Sequence, residues 1–181
     1  MSKQVVVITG SPRENGNSNA MAKAFMQAAE QKGYSVVHFD ATKLHIGGCH
    51  DCKKCFQTGN ACVFDDDFNT VAPAILSADV VVFAMPVYWY APPAQIKLLI
   101  DKMYSFCVAE KAVAGKQCGL IACCEEEDMA ILDSVRIPME RSAAYLKWNM
   151  FGEVLIPGVL NVGDIDNTDG CARAAKLADL I

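Results

Sequence analysis

The chain has no block of basic residues, no apolar stretch long enough to cross a bilayer, and neither of the two familiar nucleotide-binding signatures. Lys and Arg number 16 against 21 Asp and Glu, a net charge of −5, so bulk electrostatics exclude nucleic acid and anionic membrane surfaces as partners. The most apolar later segment, residues 80–94, is interrupted by Pro86, Pro92 and Pro93 and is too short for a span. The first apolar run, 5–9, is too short for the core of a secretory signal. Histidine is scarce: His38, His45 and His50 form no metal-ligand spacing. Neither GxGxxG nor GxxxxGK(S/T) occurs, which removes support for those two nucleotide sites. No repeat or low-complexity linker divides the chain, and we expect one domain over 1–181.

Hydrophobic residues make up 52% and charged residues 20%, a composition that folds around a core. Cysteine is the plentiful residue, with nine copies. Without a secretory signal, that number favours a reducing, cytoplasmic setting and metal or redox chemistry over a disulfide framework.

Strand-like and helical patterns alternate. Strands are expected at 4–9, 35–39, 79–84, 117–123 and 153–156. A helix over 18–32 places Met21, Phe25, Ala28 and Ala29 inward and ends at Gly33. A second helix runs to about 77 from Asp65-Asp66-Asp67, whose charge suits a helix N-terminus. A third begins at Pro93 and carries the stripe Ile96, Leu99, Ile100 and Met103. A fourth spans 127–148 with a kink or break at Pro138, and a fifth spans 170–181. Alternation of this kind predicts an α/β fold: a doubly wound, five-stranded parallel sheet in three layers with the flavodoxin-like order 2-1-3-4-5. Ligands then bind beyond the carboxyl ends of strands one and three.

Two loops lie at that edge. The first, Gly10-Ser11-Pro12-Arg13-Glu14-Asn15-Gly16-Asn17-Ser18-Asn19, turns a buried strand into a helix and aims backbone N–H groups at one spot, a seat for phosphate. Ser11, Asn17, Ser18 and Asn19 add donors and Arg13 adds charge or a stacking plane. An ordinary βα turn capped by Asn17 or Ser18 is the plainer alternative. The second loop, Met85-Pro86-Val87-Tyr88-Trp89-Tyr90-Ala91-Pro92-Pro93, sets three aromatics in a proline-stiffened segment suited to stacking a ring system. Together they fit a flavin mononucleotide. The alternative for the second loop is packing on a neighbouring subunit.

GSPRENGNSN followed by PVYWYAPPAQIKLLIDK and the final GEVLIPGVLNVGDI resembles the flavodoxin-like NAD(P)H-dependent FMN reductase superfamily. The resemblance implies FMN, with its phosphate near Ser11, Arg13, Asn17, Ser18 and Asn19. Pro86, Val87, Tyr88 and Trp89 would lie along the isoalloxazine and ribityl chain. It also implies a homodimer or homotetramer that carries electrons from NAD(P)H to a quinone, flavin, azo compound or protein acceptor. A third flavin loop would fall at 123–127, but Cys-Cys-Glu-Glu-Glu departs from the small residues relatives place there, and no contact is carried over.

A long loop at about 41–64 holds Cys49-x2-Cys52-x2-Cys55-x6-Cys62. Cysteines this close can wrap a compact cluster from one loop, and they are too crowded for a structural zinc finger's two separated pairs. Gly47 and Gly48 before them permit unusual backbone angles. The motif resembles the iron-sulfur flavoprotein branch of the same superfamily, which implies a [4Fe-4S] cluster on Cys49, Cys52, Cys55 and Cys62. The last interval is longer than in the ferredoxin run and no proline follows Cys62. Free redox-active thiols and zinc remain open. Lys53 and Lys54 could offset the cluster's charge, and His50 could tune the loop. Cys107 and Cys118 read as buried small hydrophobes and Cys123-Cys124 as two reduced thiols.

The function expected is an FMN-dependent oxidoreductase, the cluster splitting two-electron chemistry into single electrons. No side chain is assigned as acid, base or nucleophile, because the cofactor carries the chemistry. Two rivals stand beside it: a flavoprotein that exchanges electrons only with protein partners, and a zinc or thiol redox sensor without flavin turnover.

Overall fold

A computed structural model describes residues 3–181. The elements run β1 (Gln4–Thr9), α1 (Asn17–Gln31), β2 (Ser35–Asp40), α2 (Phe68–Ser77), β3 (Val80–Pro86), α3 (Ala94–Lys102), α4 (Tyr104–Val108), β4 (Gln117–Cys123), α5 (Asp133–Tyr145), β5 (Asn149–Ile156) and α6 (Gly170–Leu177). The strands form one parallel sheet in the order β2-β1-β3-β4-β5, as the alternation predicted.

Period-two alternation along the central strands builds two cores. Val6 and Ile8 of β1 with Val81, Phe83 and Met85 of β3 face α2, α3 and α5. Val5 and Val7 with Val80, Val82 and Ala84 face α1 and α6. Such double burial explains why these strands read as continuous apolar runs. The register ends Thr9 opposite Ala84 and Pro86 opposite Cys123, so the loops after β1, β3 and β4 emerge side by side. Helix α1 closes as expected: Gly33 takes φ +84°, its N–H reaches the Glu30 carbonyl, and the Tyr34 N–H reaches that of Ala29, a Schellman motif.

Three expectations are corrected. The span 127–148 is not one helix. The Asp128 carboxylate accepts from the Ala130 N–H and caps a 3-10 turn, Met129–Leu132, before α5 begins. Pro138 then sits inside α5 without breaking it, because buried Val135, Met139 and Ala143 hold both halves on the sheet. β5 starts at Asn149, four residues before the expected 153, because pairing to β4 continues through an irregularity at Cys118/Gly119. There the Phe151 ring lies over Gly119. The aspartate triplet stands at the start of α2 as expected, with Asp67 at the N-cap and the Asp66 carboxylate accepting from the Phe68 N–H, and Asp66 and Asp67 also fasten the preceding loop. Among the described residues no helix is long and apolar enough to cross a membrane.

Candidate functional site

The loops after β1, β3 and β4 enclose a cavity of about 370 Å³, a size suited to a small-molecule ligand. Eight of the nine residues proposed for FMN line it: Ser11, Arg13, Asn17, Ser18, Pro86, Val87, Tyr88 and Trp89.

Its floor is the start of α1. Gly16 occupies the N-cap and no side chain caps the helix, so neither Asn17 nor Ser18 plays the capping role of the plainer reading. The amides of Asn17, Ser18 and Asn19 donate to no backbone carbonyl among the described residues. The Ser18 hydroxyl is buried without a hydrogen-bond partner, although it faces the Cys123 sulfur. A helix N-terminus with free amides and an orphaned hydroxyl is an anion seat. Position 16 is crowded: a Cβ there would stand 2.8 Å from the Ser11 Oγ and 3.0 Å from the Arg13 carbonyl. Asn19 stands outside the cavity lining. Its amide donates to the carbonyls of Ser11 (3.2 Å) and Arg13 (2.9 Å) and holds the turn in shape.

Opposite the floor, Tyr88 and Ala91 exchange two backbone hydrogen bonds of 3.0 and 3.1 Å. Trp89 and Tyr90 between them take φ +50° and +58°. This is a type I′ hairpin turn, whose central positions ordinarily hold Asn or Gly. Two aromatics held left-handed carry local strain, and strain of this kind clusters at ligand clamps. The turn lifts Trp89 to 94% exposure.

The third wall comprises Cys123, Cys124, Glu125 and Glu126. Burial pushes the Cys123 thiol up to about 12, against the lowering effect of Ser18 and Arg13, so it stays neutral at physiological pH. Burial raises Cys124 as well, with Glu126 adding to the rise. Both are free thiols.

Sequence reasoning missed the fourth wall, Val159 and Leu160. The Arg13 guanidinium donates to the Leu160 carbonyl at 2.7 Å, and the Asn17 amide donates to that of Asn161 at 2.9 Å. Asp164 in turn accepts from the N–H groups of Leu160 and Asn161. These contacts run mostly through backbone carbonyls, which no residue type advertises.

The cysteine loop forms a separate cleft. Residues 44–67 contain no helix or strand. Cys49, Cys52, Cys55 and Cys62 all line the cleft, with Lys102 and Tyr104 behind them. Cys49 and Cys52 are exposed, Cys55 and Cys62 half-buried. Burial raises Cys55 first, and the charges of Cys52, Cys49 and Cys62 add to the rise. No group of three or more metal-donor side chains is placed to hold an ion among the described residues. The unusual backbone angles fall not at Gly47 and Gly48 but at Asp51, Lys53 and Phe56, with φ of +50°, +57° and +61°.

Lys53 and Lys54 do not supply the cation nearest these sulfurs. Lys53 pairs with Asp51 and donates to the Tyr104 hydroxyl at 3.2 Å. Instead Lys102 of α3, 3% exposed, donates to the Cys62 Sγ at 3.5 Å and pairs with Asp66. Asp66 also accepts from the N–H groups of Gly47 (2.9 Å) and Phe68 (3.1 Å), and Asp67 accepts from that of His45 (2.7 Å). His50 stacks on Phe64 with ring centroids 4.6 Å apart. Cys118 is buried as expected, whereas Cys107 is only partly so.

Comparison with known proteins agrees with this geometry. An iron-sulfur flavoprotein of Archaeoglobus fulgidus is 34% identical over 105 residues, 57% of this chain and 46% of that protein. An iron-sulfur flavoprotein of Methanosarcina thermophila is 29% identical over 99 residues, 55% of this chain and 51% of that protein. The chain therefore spans about half the length of these curated relatives. In fold it is similar to an NAD(P)H:quinone oxidoreductase from Methanothermobacter marburgensis, with a TM-score of 0.72 at 15% identity over 98% of this chain and 95% of that one. The family model of NADPH-dependent FMN reductases matches residues 4–136, well over half of the sequence. The chain belongs to the NADPH-dependent FMN reductase family.

Proposed function

We propose that the cavity between the α1 N-terminus and the Tyr88–Ala91 turn binds FMN, and that the protein takes electrons from NAD(P)H and passes them to a quinone, flavin or protein acceptor. One observation carries the reading: free amides and the orphaned Ser18 hydroxyl face a strained aromatic turn across one cavity. Bound FMN would supply the hydride and single-electron chemistry. The chain's own groups bind and orient. The backbone amides of Asn17 and Ser18 with the Ser18 hydroxyl donate to the phosphate, Ser11 and Arg13 flank it, and Asn19 holds the turn that carries them. Pro86, Val87 and Tyr88 form the side wall, and Trp89 closes the rim. The neutral Cys123 thiol underneath adds no charge to the site. Trp89 and Tyr90, exposed in the single chain, suit a rim completed by a second copy in a dimer or tetramer.

The test is anaerobic titration of the purified protein. FMN fluorescence should be quenched at one equivalent, and NADH or NADPH should then bleach the flavin's visible absorbance. Binding without bleaching by either nicotinamide would favour a carrier between proteins. Failure to bind FMN would overturn the reading.

The four-cysteine cleft fits a [4Fe-4S] cluster by donor chemistry: four thiols in one cleft with a buried ammonium beside them. Cys49, Cys52, Cys55 and Cys62 would hold it, and its role would be one-electron transfer between the flavin and the acceptor. The similarity to iron-sulfur flavoproteins supports this reading over zinc. Iron and acid-labile sulfide in equal amounts on anaerobically prepared protein are expected. Stoichiometric zinc without sulfide would overturn it.

A further inference from the structure

We propose that Lys102 is a positioning residue for the four-cysteine centre, acting through the Cys62 sulfur to make the centre easier to reduce. The inference rests on the cluster reading above and adds a residue outside the cysteine motif.

Lys102 is a lysine on a helix's core face. It follows Ile96 and Leu99 at intervals of three on α3, and all three are buried. A lysine is almost never enclosed this fully unless partners meet its charge. The structure shows two: the Asp66 carboxylate, and the Cys62 Sγ at 3.5 Å. A thiol sulfur is a weak acceptor, whereas a thiolate or a metal-bound cysteinate is a strong one. A buried ammonium aimed at a sulfur is therefore the arrangement expected where that sulfur carries negative charge. An ammonium has three N–H donors, so pairing with Asp66 leaves Lys102 free to donate to Cys62 as well, while the N–H groups of Gly47 and Phe68 hold the carboxylate in place.

The other cations near the loop are placed differently. Lys53 spends its ammonium on Asp51 and Tyr104 and is about half exposed. Lys111 lies over the Phe56 ring, 4.2 Å from its centroid. Lys102 alone among these three touches a ligand sulfur and is shielded from solvent, where a charge acts with least screening.

The consequence follows from charge. On reduction the oxidised centre gains one electron, with no bond made or broken and no proton required, so its negative charge rises by one. A fixed cation beside a ligand sulfur stabilises the more negative state and raises the potential. Because Lys102 lies on α3, the same residue ties the cysteine loop to the helix that follows the aromatic turn.

The test uses the iron-loaded protein, titrated with dithionite and followed by its electron paramagnetic resonance signal. Lys102→Met should shift the equilibrium constant for reduction at least tenfold toward the oxidised state, about 59 mV lower for a one-electron couple. Lys102→Arg, which keeps the charge, should restore the wild-type potential. Should Lys102→Met lose its iron while Lys102→Arg retains it, the requirement for charge is equally supported. A potential unmoved in iron-replete Lys102→Met overturns the inference and leaves the cluster reading intact, as does equal loss of iron from both variants. Wild-type protein without iron and sulfide overturns the cluster reading itself, and this inference with it.

Discussion

The cavity proposed for FMN and the cysteine cleft lie on one chain but are built by different means. The cavity's walls grow out of strand ends whose residues Val5 to Ile8 and Val80 to Met85 are wholly buried. Asn19 braces the first loop, and Arg13 and Asn17 fix that loop to the segment after β5, through hydrogen bonds between 2.7 and 3.2 Å. The cleft hangs on residues 44–67, without helix or strand, tied to the body by Asp66, Asp67 and Lys102. A site shaped by the sheet exists before its ligand arrives. A loop that leaves Cys49 and Cys52 exposed would gain order from the centre proposed for it, and on that reading its stability and its occupancy are coupled.

The largest contrast should appear in thiol chemistry. Burial pushes Cys123 up to about 12 from an ordinary 9.0, so at pH 8 it carries about 1000-fold less thiolate than an unperturbed thiol. In chelated, reduced protein, iodoacetamide should label the exposed Cys49 and Cys52 far faster than the buried Cys123, as read by peptide mapping. The Cys123 rate should climb with pH and not level off below about 12. The sign for stability follows: the unfolded thiol ionises near 9 while the folded one stays protonated, so stability falls as pH rises beyond 9. Labelling of Cys123 as fast as Cys49 would mean that the cavity is no more preformed than the cleft.

Next in size is Gly16→Val. The added side chain meets the Ser11 Oγ and the Arg13 carbonyl, so FMN affinity should fall about 100-fold, roughly 2.7 kcal/mol. Iron content should not change. Loss of both cofactors together would show that the two regions fold as one unit.

What was legible in the sequence divides along the same line. Strand order and the two loops followed from apolar runs broken by polar turns, since the parallel sheet fixes where such loops emerge, and the family resemblance named the residues of which eight line the cavity. Val159 and Leu160 did not follow, because Arg13 and Asn17 reach that segment through carbonyls that every residue has. In the cleft, cysteine spacing pointed to the chemistry but not to the supports. Asp66 and Asp67 read only as helix-starting charge, although their carboxylates also fasten the loop. Lys102 carried a usable signal, its interval of three from Leu99 and six from Ile96, and the exposed-looking Lys53 and Lys54 drew attention from it. Pro138 misled because tertiary packing outweighs one lost helix hydrogen bond.

A smaller effect tests the anion seat. Ser18→Ala removes a donor that has no partner within the protein, so stability without ligand should not fall. FMN affinity should weaken roughly tenfold, since a hydrogen bond to a charged group contributes about 1.5 kcal/mol. Unchanged FMN affinity, read by fluorescence quenching, would place the phosphate elsewhere.

The smallest effect belongs to the ties of the loop. Asp67→Ala removes the acceptor for the His45 N–H, at 2.7 Å in an exposed position, while its own carbonyl still receives the Thr70 and Val71 N–H groups at the start of α2. The loss should be about 1 kcal/mol, confined to the loop, and hydrogen exchange over 45–49 should quicken roughly fivefold. FMN affinity should hold, because nothing in the cavity touches Asp67. Loading the cysteines with iron should then slow the exchange again in the variant, since a ligand that binds only the ordered loop offsets a missing tie by mass action. Exchange that stays fast in the iron-loaded variant would show that the carboxylates, and not the bound centre, set the order of this region.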